Sequence, residues 1–255
     1  MCFVISTFCF NTHDDPSIFI TCQWQKDKTV PNKKYLIYRL TVALLFLVTC
    51  LYSVYYERCM SLDCFGFWLI YLTHWGYSLC TLQALLAAIM LSASCISKRA
   101  GTKCLKMYPC YWLMHTIATP IAFLITSLFW CAVYDPEVLS FDANNYFVHA
   151  NNSLMMLVDL LVVSHPTKLA HIIYPVSFAF LYMVFTMVYH SLGGVTRDGD
   201  PYIYTILNWD DPVPALLLCA GALCLIMVIY VMVYLLSKCR RRLHDKYCIQ
   251  EQDVE

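Results

Sequence analysis

The chain has 255 residues, of which 60% are hydrophobic and 13% charged, and its 17 basic residues balance its 17 acidic ones. A mean hydropathy of +0.59 is far above that of an ordinary soluble domain, so the composition predicts a protein that folds in lipid. The sequence has no Gly-rich phosphate loop, no Cys-x-x-Cys pair and no His-Glu-x-x-His motif. It therefore gives no support to a cofactor, a metal site or a nucleic-acid partner.

Six apolar stretches are long enough to cross a bilayer as helices. A hydrocarbon core of ~30 Å takes about 20 helical residues, and charged or turn residues bound each stretch. The strands of a β-barrel would be shorter and would alternate in polarity. The predicted fold class is therefore all-α, a polytopic membrane protein with six transmembrane helices. The predicted spans one to six cover residues 35–55, 65–91, 110–134, 146–164, 172–192 and 213–237.

The distribution of charge predicts the orientation. Fourteen of the 17 lysines and arginines fall in the N-terminal segment 1–34, in the loops after spans two and four, and in the basic then acidic tail 238–255. The other loops hold two cations and nine acids. Because basic residues stay on the cytoplasmic side, both termini are predicted to be cytoplasmic, on either side of the six-helix domain 35–237. The remaining cation, Arg39, lies about one turn inside span one and is expected to snorkel back to the interface.

Most of the 15 cysteines lie in spans or on the predicted reducing side, so they define no disulfide framework. Cys59 and Cys64 share an exoplasmic loop, where a small disulfide and two free thiols both remain open. Cysteines beside cytoplasmic basic residues are candidate palmitoylation sites, with unmodified thiols as the alternative. They are Cys95, Cys104, Cys239 and Cys248. The composition suits the plasma membrane and the endoplasmic reticulum equally well.

Polar side chains inside the spans need a partner or a water-filled cavity. On span four, His149, Asn152 and Ser153 share one face with Met156, and Asp159 lies at its edge. This polar stripe is predicted to face the interior of the bundle. Spans two and three add further polar groups, namely Thr73, His74, Gln83 and His115.

Thr73 and His149 are a candidate nucleophile and base. Spans two and four are both predicted to run inward, and the helical rise places both side chains in the outer half of the bilayer. Small residues repeat at every fourth position from Gly76 to Ser92, so another helix, with span four as one candidate, is expected to approach closely. The imidazole could then accept the proton of the threonine hydroxyl as it attacks an ester. The alternative is that both groups simply make helix-packing hydrogen bonds.

Several motifs together carry a family resemblance. In chain order they are Tyr71-Leu72-Thr73-His74-Trp75-Gly76-Tyr77, His149-Ala150-Asn151-Asn152-Ser153, Ser164-His165-Pro166, Pro201-Tyr202-Ile203-Tyr204 and Leu207-Asn208-Trp209. In order, spacing and residue type they resemble the Rolling stone family of insect membrane proteins, over nearly all six spans. The resemblance implies a multi-pass membrane protein whose namesake is associated with myoblast fusion during muscle development.

A more distant resemblance is to the androgen-induced membrane hydrolases, which cleave fatty acid esters of hydroxy fatty acids through an intramembrane Thr and His. Their early Tyr-Leu-Thr is matched by Tyr71-Leu72-Thr73, and their later His and acid by His149 and Asp159. Only part of their third element is matched, by His165-Pro166-Thr167, because its Tyr and Ser are missing here. The resemblance implies that Thr73 is the nucleophile and His149 the base.

Two hypotheses follow from the sequence. In the first, the chain is a developmental membrane protein without an established biochemical activity, which acts in cell fusion through membrane lipids or through protein partners at its acidic exoplasmic loops. In the second, it hydrolyses lipid esters: Thr73 attacks, His149 moves the proton, and Asn152 or His115 stabilises the oxyanion. The sequence does not decide whether the chain is an enzyme.

Overall fold

The computed structural model describes residues 15–28, 30–60, 65–134, 137 and 143–249, with the side chains of residues 57–60, 65, 144 and 248–249 excepted. Within this part of the chain, regular structure is helical apart from one bridge between Cys22 and Val163. Cys64 and the side chain of Cys59 lie outside the described residues, so their disulfide stays a prediction. The main helices are α1 (Lys33–Met60), α2 (Leu72–Ile96), α3 (Lys98–Leu105), α4 (Tyr108–Leu128), α5 (Asn152–Val162), α6 (Ile173–Ser191) and α7 (Pro212–His244).

Five helices are long and apolar enough to cross a membrane, and they correspond to predicted spans one, two, three, five and six. The start of span two was predicted wrongly, because its helix begins at Leu72 and Phe65–Trp68 forms a separate short helix. This confirms an all-helical fold with apolar helices of spanning length. The fourth predicted span is a shorter apolar helix, Phe147–Val162, which begins with the π-helical turn Phe147–Asn151 and continues as α5. The count of six spans and the orientation of the termini stay predictions.

Three helices begin where the local sequence supplies a cap or a proline. Ser97 is extended, and its hydroxyl accepts a hydrogen bond from the backbone N–H of Ala100, which starts α3 directly after α2. Prolines lie in the first turns of α4 and α7, where their missing N–H removes no intrahelical bond. The sequence therefore folds α2 and α4 as neighbours joined by the short helix α3.

Two of the small residues on α2, Gly76 and Cys80, pack closely against α4. A Cβ added to Gly76 would lie 2.5 Å from Ile125 Cδ1 and 2.9 Å from Ile121 Cγ2. One turn further along α2, the Cys80 thiol lies 4.0 Å from the carbonyl oxygen of Ala118. The close approach that the small residues predicted is thus present, and its partner is the third predicted span rather than the fourth.

Candidate functional site

An apolar cavity of about 100 Å³ lies between α2, α4, α6 and α7. Leucine, isoleucine and other apolar side chains form most of its wall, and the connector between α6 and α7 adds Tyr204, Ile206 and Leu207. Thr73 from the first turn of α2 and His149 from the turn before α5 also line it. The two residues that the sequence singled out as nucleophile and base therefore border the same cavity.

The connector between α6 and α7 is held against the start of α2. The backbone N–H of Leu72 donates to the Tyr204 hydroxyl at 3.2 Å, and that hydroxyl also interacts with Thr73. Nearby, the Tyr182 hydroxyl donates to the carbonyl oxygen of Ile70 at 2.8 Å. Desolvation raises the pKa of Tyr204, so its hydroxyl keeps its proton. A protonated phenol thus lies beside Thr73 at the polar end of the cavity.

The imidazole of His149 is oriented by stacking. Its ring lies parallel to that of Phe129, with centroids 3.5 Å apart and an interplanar angle of 2°. Its Nδ1 is buried and has no hydrogen-bond partner in the described part of the chain. Among the described residues, no direct hydrogen bond joins the Thr73 hydroxyl to this imidazole. Proton transfer between them therefore requires a bridging water, a substrate atom or a movement of the side chains.

Asn152 and His115 do not line this cavity. Asn152 is fully buried, and its Oδ1 accepts a hydrogen bond from the Ser153 N–H at 2.6 Å and lies 3.4 Å from the Thr126 hydroxyl. His115 lies beside Asp159, with Nε2 and Oδ2 3.3 Å apart. Their role as oxyanion donors stays a prediction. Tyr204 was not predicted to belong to the site. It lies in the motif Pro201-Tyr202-Ile203-Tyr204, which contributed to the family resemblance but suggested no role for this residue.

The polar stripe predicted on span four does face the interior, since Asn152, Ser153, Met156 and Asp159 are all buried. The expectation for Arg39, however, was wrong. Only 1% of its surface is exposed, and its Nη1 lies 2.7 Å from Asp159 Oδ1. A buried carboxylate on α5 holds the guanidinium inside the bundle, where burying either charge alone would be costly.

Further hydrogen bonds extend this ion pair into a network. The Arg39 guanidinium donates to the hydroxyls of Tyr35 and Tyr111 at 2.8 and 2.9 Å, and Tyr111 in turn contacts His165 Nε2 at 3.1 Å. Arg240 from α7 donates to the His165 carbonyl oxygen at 2.8 Å. The network ties together the starts of α1 and α4 and the ends of α5 and α7. We call this the basic end of the bundle, because most of the lysines also lie here.

Asp159 is not in a position to orient His149. The two residues are ten positions apart, about 15 Å along a helix, and Asp159 is already engaged by Arg39, His115 and Tyr38. Within the described residues, no group of three His, Cys, Asp or Glu side chains could hold a metal ion. The residues with reactive groups that line the cavity are thus Thr73, His149, two tyrosines, Tyr182 and Tyr204, and the free cysteine Cys219.

The apolar helices, the buried ionic network at one end and the apolar cavity define a helical integral membrane protein. The family model described as "Protein rolling stone" matches residues 5–251. The protein named "Protein rolling stone" from Drosophila melanogaster is 31% identical over 247 residues, covering 91% of this chain and 86% of that protein. The chain therefore belongs to the Rolling stone family. No solved structure matches it significantly.

Proposed function

We propose that the chain is an intramembrane hydrolase of lipid esters, with Thr73 as the nucleophile and His149 as the base. The observation that carries this proposal is that a hydroxyl and an imidazole line one cavity whose remaining wall is almost entirely apolar. Pockets of this kind bind ligands through apolar contact and orient them through a few polar groups. A fatty acyl ester matches this chemistry with its carbonyl beside Thr73 and, because the cavity of about 100 Å³ is smaller than a fatty acyl chain, with most of that chain outside the cavity.

The reaction balances with the groups present and water. Thr73 Oγ1 bonds to the ester carbonyl carbon while its proton passes to His149, and the resulting tetrahedral intermediate expels the alcohol, which takes the proton from His149. Water then attacks the acyl-threonine with His149 again accepting a proton. The acid leaves, and the proton returns to Thr73. Each turnover converts one ester and one water into one acid and one alcohol.

Tyr204 is the group best placed to stabilise the negative oxygen of the tetrahedral intermediate. It accepts a hydrogen bond from the Leu72 N–H at 3.2 Å and interacts with Tyr182 and Thr73, so its hydroxyl lies close to the oxygen that would attack the carbonyl carbon. A hydrogen-bond donor that is already fixed where negative charge develops lowers the activation barrier of the reaction, because the protein does not need to rearrange during the reaction. We therefore assign to Tyr204 the oxyanion role that the sequence had placed on Asn152 or His115.

The test is hydrolysis of synthetic fatty acid esters by the purified chain in neutral detergent. Thr73→Ala and His149→Ala should each lower the rate at least about a hundred-fold, since the nucleophile and its base act as a unit. Thr119→Ala is the matched control: Thr119 is also a buried threonine, its hydroxyl bonds to the His115 carbonyl oxygen at 2.9 Å, and it does not line the cavity. Equal rates in all four proteins would exclude the assigned reaction.

A second candidate is a non-enzymatic role in myoblast fusion, the process that the family resemblance implies. In favour of this candidate, polar groups near the cavity form hydrogen bonds between helices, as expected if they serve only to pack the bundle. The Thr126 hydroxyl donates to the His149 carbonyl oxygen at 2.6 Å, and the Ser153 hydroxyl donates to the Ala122 carbonyl oxygen at 2.8 Å. In this case the acidic loops would contact protein partners at the plasma membrane, and the polar side chains would act only in packing.

A fusion assay in muscle precursor cells lacking the endogenous protein separates the two candidates. If the role is non-enzymatic, Thr73→Ala should restore fusion as well as the native chain at equal surface expression. If fusion depends on ester hydrolysis, Thr73→Ala should fail and Thr119→Ala should succeed.

A further inference from the structure

A second groove lies at the basic end, away from the cavity that holds Thr73 and His149. It has a volume of about 500 Å³ and is formed by α3, the end of α2, the start of α4 and the 3-10 turn Pro16–Ile20. Lys98 and Lys106 line it together with the apolar side chains of Ile20, Leu105 and Tyr108. The proposed hydrolase makes no use of this groove.

The two lysines of the groove form no ion pair with the residues that the structure describes. The sequence from residue 64 to 134 contains no Asp or Glu. Where the structure describes ion pairs, none involves Lys98 or Lys106. Asp15, beside the 3-10 turn, accepts a hydrogen bond from the Ser17 N–H as the cap of that turn. Two ammonium groups therefore line an open groove in which none of the described residues forms an ion pair with them.

The groove depends on how closely α3 packs against α2. A Cβ added to Gly101 would lie 2.8 Å from Ser94 Cα, so only glycine permits this approach. The hydroxyls of Ser94 and Thr102 donate to the carbonyl oxygens of Met90 and Lys98 at 2.8 and 2.9 Å. Because these hydroxyl protons are already engaged, the two lysine ammonium groups are the charged donors that the groove can offer to a ligand, beside the hydroxyl of Tyr108.

The helical geometry of α3 separates its cations into two sets. A rotation of about 100° per residue places Lys98, Thr102 and Lys106 on the side that borders the groove. Arg99 and Lys103 are exposed and do not line it. One helix therefore carries two cations in the groove and two outside it, all at the same end of the bundle.

We propose that this groove binds the phosphorylated headgroup of an anionic membrane phospholipid. Phosphate oxygens accept charge-assisted hydrogen bonds from ammonium groups, which would satisfy Lys98 and Lys106. Ile20, Leu105 and Tyr108 offer apolar contact to the glycerol and the first acyl carbons. A soluble phosphate compound would meet the same ammonium groups but would leave this apolar wall uncovered, so the lipid is the better occupant.

The test is native mass spectrometry of the full chain in neutral detergent, titrated with short-chain phosphatidylinositol phosphate. Parallel titrations use the soluble inositol phosphate and inorganic phosphate. The Lys98→Gln/Lys106→Gln variant is compared with Arg99→Gln/Lys103→Gln, which removes the same charge from the same helix. Gly101→Ala keeps every charge but forces α3 away from α2.

We expect one lipid to bind the native chain. The Lys98→Gln/Lys106→Gln variant should bind it about 30-fold more weakly, because each cation near an anionic headgroup contributes about a factor of five. The Arg99→Gln/Lys103→Gln variant should stay within about three-fold of the native chain, and Gly101→Ala should lose binding without losing its helical circular dichroism. If both double variants bound the lipid equally weakly, the groove would not be the binding site, and the lipid would instead bind to the basic surface as a whole. Equal affinity for lipid and soluble inositol phosphate would overturn the lipid as occupant.

Discussion

Arg39 Nη1 lies 2.7 Å from Asp159 Oδ1, and both side chains are almost completely buried. The pair joins α1 to α5, the short helix of the fourth predicted span, across 120 residues of sequence. Three tyrosine hydroxyls and the imidazole of His115 complete its surroundings. A buried pair of this kind specifies which helices meet, because any other arrangement would leave a charge unpaired in the bundle.

Removing one member of this pair should therefore destabilise the fold severely. Arg39→Met or Asp159→Leu alone should cost about 3–5 kcal/mol in the free energy of unfolding, since the other charge stays buried without its partner. The double variant should recover much of this loss, because both charges are then absent. Thermal unfolding in detergent, followed by circular dichroism, measures all three variants.

The exposed ion pair of Arg197 and Asp198, with Nε and Oδ1 3.7 Å apart, is the control for this cycle. Asp198→Leu should leave the unfolding temperature nearly unchanged, because exposed pairs contribute little to stability. If the double variant of Arg39 and Asp159 lost as much free energy of unfolding as the two single variants added together, the two residues would not stabilise the fold as a pair.

Gly76 should be the most sensitive glycine of the membrane helices. Gly76→Val places atoms where Ile121 and Ile125 already lie, so it should lower the free energy of unfolding by about 1–3 kcal/mol through overpacking. Gly221→Val on α7 is the matched control, because an added Cβ there meets nothing within 4 Å. If Gly76→Val and Gly221→Val lowered the unfolding temperature by the same amount, the close packing of α2 on α4 would be refuted.

Tyr204→Phe should slow ester hydrolysis about a hundred-fold and lower the free energy of unfolding by only about 1 kcal/mol, because the Leu72 N–H loses its acceptor. The change removes the proposed oxyanion donor and keeps the aromatic ring that packs on Tyr71, whose centroid is 5.8 Å away. The loss should fall on kcat rather than on KM, since the interaction forms only in the transition state. Tyr202→Phe, two residues earlier and outside the cavity wall, should hydrolyse esters at the native rate.

Much of the helical fold could be predicted from the sequence, because the length and polarity of a span are local properties. Spans one, two, three, five and six appear as apolar helices of sufficient length. The fourth is shorter and starts with a π-helical turn, which no residue pattern signalled. The inward face of α5 was predictable, because a polar stripe in a bundle has only one side on which to find partners.

What the sequence could not supply was which helices are neighbours. Arg39 was expected to reach the membrane interface, because the sequence of span one does not show that Asp159 lies opposite Arg39 in the bundle. The small residues of α2 predicted a close contact but not that α4 would make it. Tyr204 lies in a connector far along the chain, so its position beside Thr73 depends on how α6 and α7 bring that connector back over α2. Such long-range relationships are set by the packing of the whole bundle.

The central claim is that Thr73 carries a hydroxyl activated by His149. The most direct measurement is labelling of the detergent-solubilised chain with a fluorophosphonate probe, followed by peptide mapping, for the native chain and the Thr73→Ala, His149→Ala and Thr119→Ala variants at equal folded concentration. We expect the label on Thr73 in the native chain and in Thr119→Ala, and none in the other two. A folded native chain without label, or with a label that persists in Thr73→Ala, would contradict the claim.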